Sequence, residues 1–150
     1  MDMSVFAKAL EDGFSAARNA ELAWKEIDSV FSDLNEQVRK ATGNKVGIRL
    51  SPISRMSSGA KGPYGHKLNP NKNDHIFVKN GAIVVTNRTT TSNTFDWIAQ
   101  FGAGDSGYPF KISWNKRTNI CEDKEALIKC LAELLRDPSV GRKIIALKGN

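Results

Sequence analysis

The sequence predicts a single α+β domain: an antiparallel four- to five-stranded meander packed by a long N-terminal helical segment and two C-terminal helices. Three observations carry this expectation. Apolar residues follow a helical seam from Met3 to Val38, the pattern switches to period two between Val46 and Trp114, and two capped amphipathic stripes close the chain. With 150 residues, the chain is long enough for one domain, 1–150, whose core needs no staples.

The N-terminal seam is regular. Met3, Leu10, Ala17, Trp24, Phe31 and Val38 recur every seven residues, and Phe6, Gly13, Ala20, Ile27 and Leu34 fill the intermediate positions. Ala9, Ala16, Ala23 and Val30 widen the stripe beyond what a two-stranded coiled coil needs. A helix of ~36 residues would span about 54 Å, whereas a globule of this size is roughly 38 Å across. Either the helix breaks near Asp12-Gly13, with Ser15 restarting it, or one end protrudes and pairs with another chain. The break is the expected outcome, because glycine disfavours helix interiors by about 1 kcal/mol. A homodimer through this helix is the alternative. Gly43, in Ala41-Thr42-Gly43-Asn44, suits a left-handed helix cap.

Strand alternation follows. Val46, Ile48 and Leu50 share one side of a strand, and residues 75–79 and 82–86 flank Asn80-Gly81, a pair that favours a tight hairpin turn. Phe95, Trp97, Ala99 and Phe101 fall on one face of a further strand, and Tyr108, Phe110, Ile112 and Trp114 on one face of the next. Aromatics gathered in this way imply a sheet face packed on the helices. Asp123 is the expected N-cap of a helix carrying Leu127, Leu131 and Leu134; Asp137-Pro138 stops it and starts the last one.

Between Ser51 and Asp74 neither period is present. This long basic loop, 51–74, holds three of the five prolines, one of the two histidines, and Arg55, Lys61, Lys67 and Lys72 against the single acid Asp74. A connection of such length inside a compact domain is usually functional. The formal charge of +6 is uneven: −3 over residues 1–43, +8 over 44–121 and +1 over 122–150. A basic middle segment attracts an acidic protein surface or nucleic acid.

Catalytic and metal readings find less support. His66 and His75 stand near lysines, as a general acid and base of a small basic ribonuclease would. The helix-then-meander layout is similar to that of several small toxin ribonucleases, a likeness of layout without a shared motif. Glycines and prolines around His66 do not supply the rigid frame that catalysis uses. Spacings among His66, His75, Cys121 and Cys130 match no close zinc-ligand pair, so neither a metal nor another cofactor is implied. Two cysteines suit reduced, partly buried thiols. GAGDSG, at 102–107, joins two strands and so reads as a turn, not as a phosphate cradle. No apolar run approaches the ~20 residues of a membrane span, and the N-terminus leads straight into amphipathic helix, so a cytoplasmic location without membrane contact is expected.

The sequence thus leads to a non-catalytic interaction protein of a microbial cell or mobile element, of the inhibitor, immunity or adaptor type. It would dock an acidic partner through the loop and a sheet face. Arg55, Lys61, Tyr64, His66, Lys67, Lys72, Arg88 and Lys111 are the expected contact residues, with Arg49 and Lys116 extending the patch if their face is open. The alternative is a nucleic-acid-binding protein, with or without cleavage through His66 and His75.

Overall fold

In the computed structural model, which describes residues 3–52, 80–89 and 94–149, the chain is an α+β fold. Helix α1 (Met3–Ala41) leads into strands β1 (Val46–Pro52), β2 (Asn80–Asn87), β3 (Phe95–Gly104), β4 (Gly107–Trp114) and β5 (Arg117–Cys121). Helices α2 (Lys124–Arg136) and α3 (Pro138–Lys148) follow. The five strands form one antiparallel sheet in the order β1-β2-β3-β4-β5, the expected meander. No helix among the described residues is long and apolar enough to cross a membrane.

The expected break at Gly13 is absent. Helix α1 runs unbroken for 39 residues, about 58 Å at 1.5 Å per residue. One glycine costs only about 1 kcal/mol, and the alanines around it favour helix throughout. The length conflict is resolved by protrusion: residues 4–19 are all exposed, and only from Trp24 onward does the seam enter the core. The helix ends as its sequence predicts. Arg39 and Lys40 occupy the last turn, and Gly43 and Asn44 take left-handed backbone with φ of 62° and 67°. Thr42 Oγ1 donates to the Val38 carbonyl (2.8 Å) and accepts from the Val46 amide (3.0 Å), joining the helix end to β1.

All three helices cover the same face of the sheet. Trp24, Ile27, Val30, Phe31 and Val38 of α1 meet Val46, Ile48, Ile83, Val85, Phe101, Phe110 and Ile112, while Leu127, Leu131, Leu134 and Val140 close the other flank. At the centre Phe110 stacks on Phe101 (centroids 5.5 Å apart, planes 4° apart) and tilts against Phe31 at 5.8 Å. Such contacts add to area burial. Asn35 Oδ1 on α1 accepts the Ile48 amide at 2.9 Å, so the helix also caps part of the β1 edge, which would otherwise offer unpaired backbone to another strand.

Two strand assignments differ from expectation. Asn80 and Gly81 form no hairpin turn; they lie inside β2, where Gly81 pairs with Pro52 on one side and Phe101 on the other. Gly81 lacks the positive φ such a turn requires. Residues 75–79, the other arm of that expected hairpin, are outside the described residues. The tight turn is instead Asn115-Lys116, with φ of 52° and 62°, between paired Trp114 and Arg117. It creates β5, a strand that the sequence did not announce. By contrast, 102–107 is the strand-connecting turn expected of it, with Gly104 paired to Gly107.

Capping at the C-terminal helices follows the sequence. Asp123 accepts the Ala126 amide at 2.8 Å, and Asp137 accepts both the amide and the hydroxyl of Ser139. The Ser139 hydroxyl holds the Asp137 carboxyl below its usual range. Both cysteines are free and buried. A hydrogen bond to Cys121, together with burial, pushes the Cys130 thiol well above the ordinary thiol range. Because both thiols are buried, native protein should react with a thiol reagent at least ~100-fold more slowly than urea-unfolded protein, since the reagent reaches them only in an opened state. Comparable rates in the two states would show that the pair is accessible.

Candidate functional site

Among the described residues every helix lies on one face of the sheet and none lies on the other, the open face. Its side chains follow from the register: Gly47, Arg49 and Ser51 on β1; Ala82, Val84 and Thr86 on β2; Phe95, Trp97, Gln100 and Gly102 on β3; Lys111 and Ser113 on β4; Thr118 and Ile120 on β5. None of these is acidic. Ala82 and Val84 are buried there although they lie outside the central core cluster, whereas Phe95 and Trp97 are each 42% exposed.

That Phe95 and Trp97 face outward corrects the expectation that the β3 aromatics all pack on the helices. The ladder between β2 and β3 shifts register between Ile83 and Val84, so that Ile83 opposes Ala99 while Val84 opposes Trp97, leaving Ile98 as the extra residue. Side chains alternate with period two, so one inserted residue exchanges the faces on either side of it. Ala99 and Phe101 stay inside, and Phe95 and Trp97 move out. Asp96 is turned toward α3, where Lys143 lies 3.7 Å away. The bulge thereby adds two aromatics to the open face and takes a carboxylate off it.

Cations and aromatics meet in two depressions. One, of about 180 Å³, is lined by Arg49, Thr86, Asn87, Thr94 and Phe95. The other, of about 360 Å³, includes Trp97, Gln100, Ser113, Trp114 and Lys116. Arg88 is exposed at the end of β2. Its amide donates to the Lys45 carbonyl (2.8 Å), and its Cδ lies over Gly47, 3.4 Å from where a Cβ would stand. Lys111 is exposed between Gly102 and Ile120. Ser113 and Thr118 exchange a hydroxyl hydrogen bond of 2.9 Å beside it.

Of the residues expected to make contacts, Arg88 and Lys111 therefore stand on or beside the open face, together with Arg49 and Lys116. Arg55, Lys61, Tyr64, His66, Lys67 and Lys72 lie outside the described residues, as does His75. Pro52 of β1, which precedes these residues in the chain, pairs with Gly81 of β2, which follows them. Phe95 and Trp97 were not foreseen as surface groups, because nothing in the composition of residues 95–101 marks Ile98 as a bulge. Among the described residues no group of three or more His, Cys, Asp or Glu could hold a metal ion. The strongly shifted groups have structural partners: burial and Glu26, which accepts from the Tyr108 hydroxyl at 2.8 Å, hold that phenol above its usual range.

No family model matches the chain, and neither a curated protein nor a solved structure does.

Proposed function

We propose that this chain is an interaction protein, without a reaction of its own, that docks an acidic protein surface on the open face of its sheet. One observation carries the reading. Two exposed aromatics share that face with Arg49 and Lys111, and none of its side chains is a carboxylate. Tryptophan and arginine are enriched among residues that dominate binding energy, and both occur here beside shallow depressions able to seat a partner's side chains. The basic loop 51–74 supplies Arg55, Lys61, Lys67 and Lys72, whose charge suits the same acidic partner, and they are assigned to it. An inhibitor, immunity or adaptor role in the cytoplasm of a bacterium, or one encoded by a phage, is consistent with such a surface.

A second reading is single-stranded nucleic acid, favoured by the same pairing of aromatics with cations. Bases stack on Trp and Phe while Arg and Lys meet phosphates. The two readings separate on salt and on competitor. Capture of the partner from its native cell, with and without nuclease, comes first, followed by titration of the purified partner. The triple variant Arg49→Ser, Lys111→Ser, Trp97→Ser is expected to weaken binding at least ~100-fold while lowering the unfolding free energy by no more than about 2 kcal/mol, because Arg49 and Lys111 are exposed and Trp97 is 42% exposed. Wild-type affinity in that variant would remove the sheet face from the interface. Loss of capture after nuclease, with a steep fall in affinity as salt rises, would establish the second reading.

A further inference from the structure

The protruding half of α1 continues the seam that the other half buries. Phe6, Leu10 and Phe14 are 55%, 59% and 58% exposed, and Ala7, Ala9, Gly13, Ala16 and Ala17 lie among them on the same broad stripe. We propose that this segment pairs with the same segment of a second copy of the chain, antiparallel, with Leu10 set against the partner's Gly13 and Phe6 against the partner's Ala17. The proposal is independent of the sheet-face reading.

Geometry excludes the parallel arrangement. The seam is free from residue 4 to about residue 20, roughly 25 Å of helix, and is then covered by its own sheet. Ala23 already lies against Gly107, whose Cβ position is 3.4 Å from the Ala23 Cβ, and Trp24 is buried. A parallel partner following the seam would run into that sheet. An antiparallel partner instead ends where the sheet begins, and each globule sits beyond the other helix's N-terminus.

Side-chain size selects the register. In an antiparallel pair the two sets of seam positions face each other, and three registers one heptad apart keep the seams aligned. The central one sets Phe6 on Ala17 and Leu10 on Gly13, large against small along the overlap, and also sets Ala9 on Ala16 and Ala7 near Phe14. The neighbouring registers set Phe6 on Leu10, which crowds the seam, or Phe6 on Trp24, which is already buried. The register that fits the sizes is also the one that fits the free length.

Charge permits the pairing. Residues 4–20 carry Lys8 and Arg18 against Glu11 and Asp12, so this segment is neutral in a chain of net +6. A basic polar face, which membrane-surface helices use, is missing. Burying the exposed parts of Phe6, Leu10, Phe14 and the alanines removes about 500 Å² per copy, close to 1,000 Å² in total, the lower bound for a specific interface. The dimer is accordingly a reversible one, with micromolar dissociation.

Sedimentation equilibrium on the full chain tests this. At about 100 µM the mass should approach twice 16.5 kDa and fall toward one chain on dilution. Leu10→Glu, an exposed site whose folding is checked by circular dichroism, should raise the dissociation constant at least tenfold. When Leu10→Cys and Gly13→Cys chains are mixed and gently oxidised, the mixed disulfide should exceed both homodisulfides. A wild-type monomer at this concentration, a Leu10→Glu dimer of unchanged affinity, or dominance of 10–10 and 13–13 disulfides would each overturn the proposal.

Discussion

Replacing Phe110 with alanine is expected to lower the unfolding free energy by about 4 kcal/mol, the middle of the range for removing a buried phenylalanine. Phe110 joins the sheet to the helix layer. Phe110 is fully buried, stacks on Phe101 of the neighbouring strand and meets Phe31 of α1, so its loss opens a cavity between sheet and helix that neither rigid wall can close. Against a net stability of about 5–15 kcal/mol, that is about a quarter or more of the total, and the melting temperature should fall by about 10 °C. Urea unfolding followed by circular dichroism would show the midpoint shift with little change in slope. Phe95→Ala is the internal comparison. It removes the same side chain from the open face, where 42% is already in water, and should cost about 1 kcal/mol. Equal losses for the two variants would contradict this assignment of faces.

The same contrast shows what was legible in the sequence. Local chemistry was: the heptad seam, Gly43 with positive φ, and the caps at Asp123 and Asp137 depend on neighbouring residues and occur where the pattern put them. What was not legible depends on pairing between distant strands. Asn80-Gly81 has the composition of a tight turn, yet both residues are held in β2 by partners on β1 and β3. Asn115-Lys116 makes that turn with a lysine at the second left-handed position, where glycine is the expected signal. Tertiary context overrides propensity in both cases, and β5 was invisible as a result.

The candidate site was half legible for a related reason. The positive charge of the middle segment is a property of composition, and Arg49, Arg88, Lys111 and Lys116 are on or beside the open face. Its aromatics were not, because their outward direction depends on the single extra residue at Ile98. The bulge converts a uniformly inward aromatic strand into one that supplies the core with Phe101 and the surface with Trp97. For α1 the conflict between helix length and globule size was visible, but not its outcome. One glycine is too weak a breaker to prevail over the alanine-rich turns on either side of it.

Gly81→Ala is expected to be nearly as damaging as Phe110→Ala, for a reason unrelated to hydrophobic burial. A Cβ at this position would stand 2.0 Å from the Ser51 carbonyl oxygen and 2.9 Å from Cε1 of Phe101. The oxygen belongs to the backbone of β1 and has no rotamer in which to retreat, so β1 must move away from β2. Overpacking of this kind costs about 3 kcal/mol. Gly141→Ala makes the opposite case. It lies in α3 with nothing within 4 Å of the added atom, and should raise stability by up to about 1 kcal/mol through helix propensity. The loss at Gly81 should also be local. Hydrogen exchange should accelerate first in amides of β1 and β2, while those of α2, on the far side of the core, keep their protection. Since β1 and β2 carry Arg49, Val84 and Thr86 of the proposed docking face, the variant should also weaken partner binding before it unfolds the chain, an effect that Gly141→Ala would lack. Unaltered exchange in β1, with binding intact, would mean that the strand accommodates a side chain that the present register forbids.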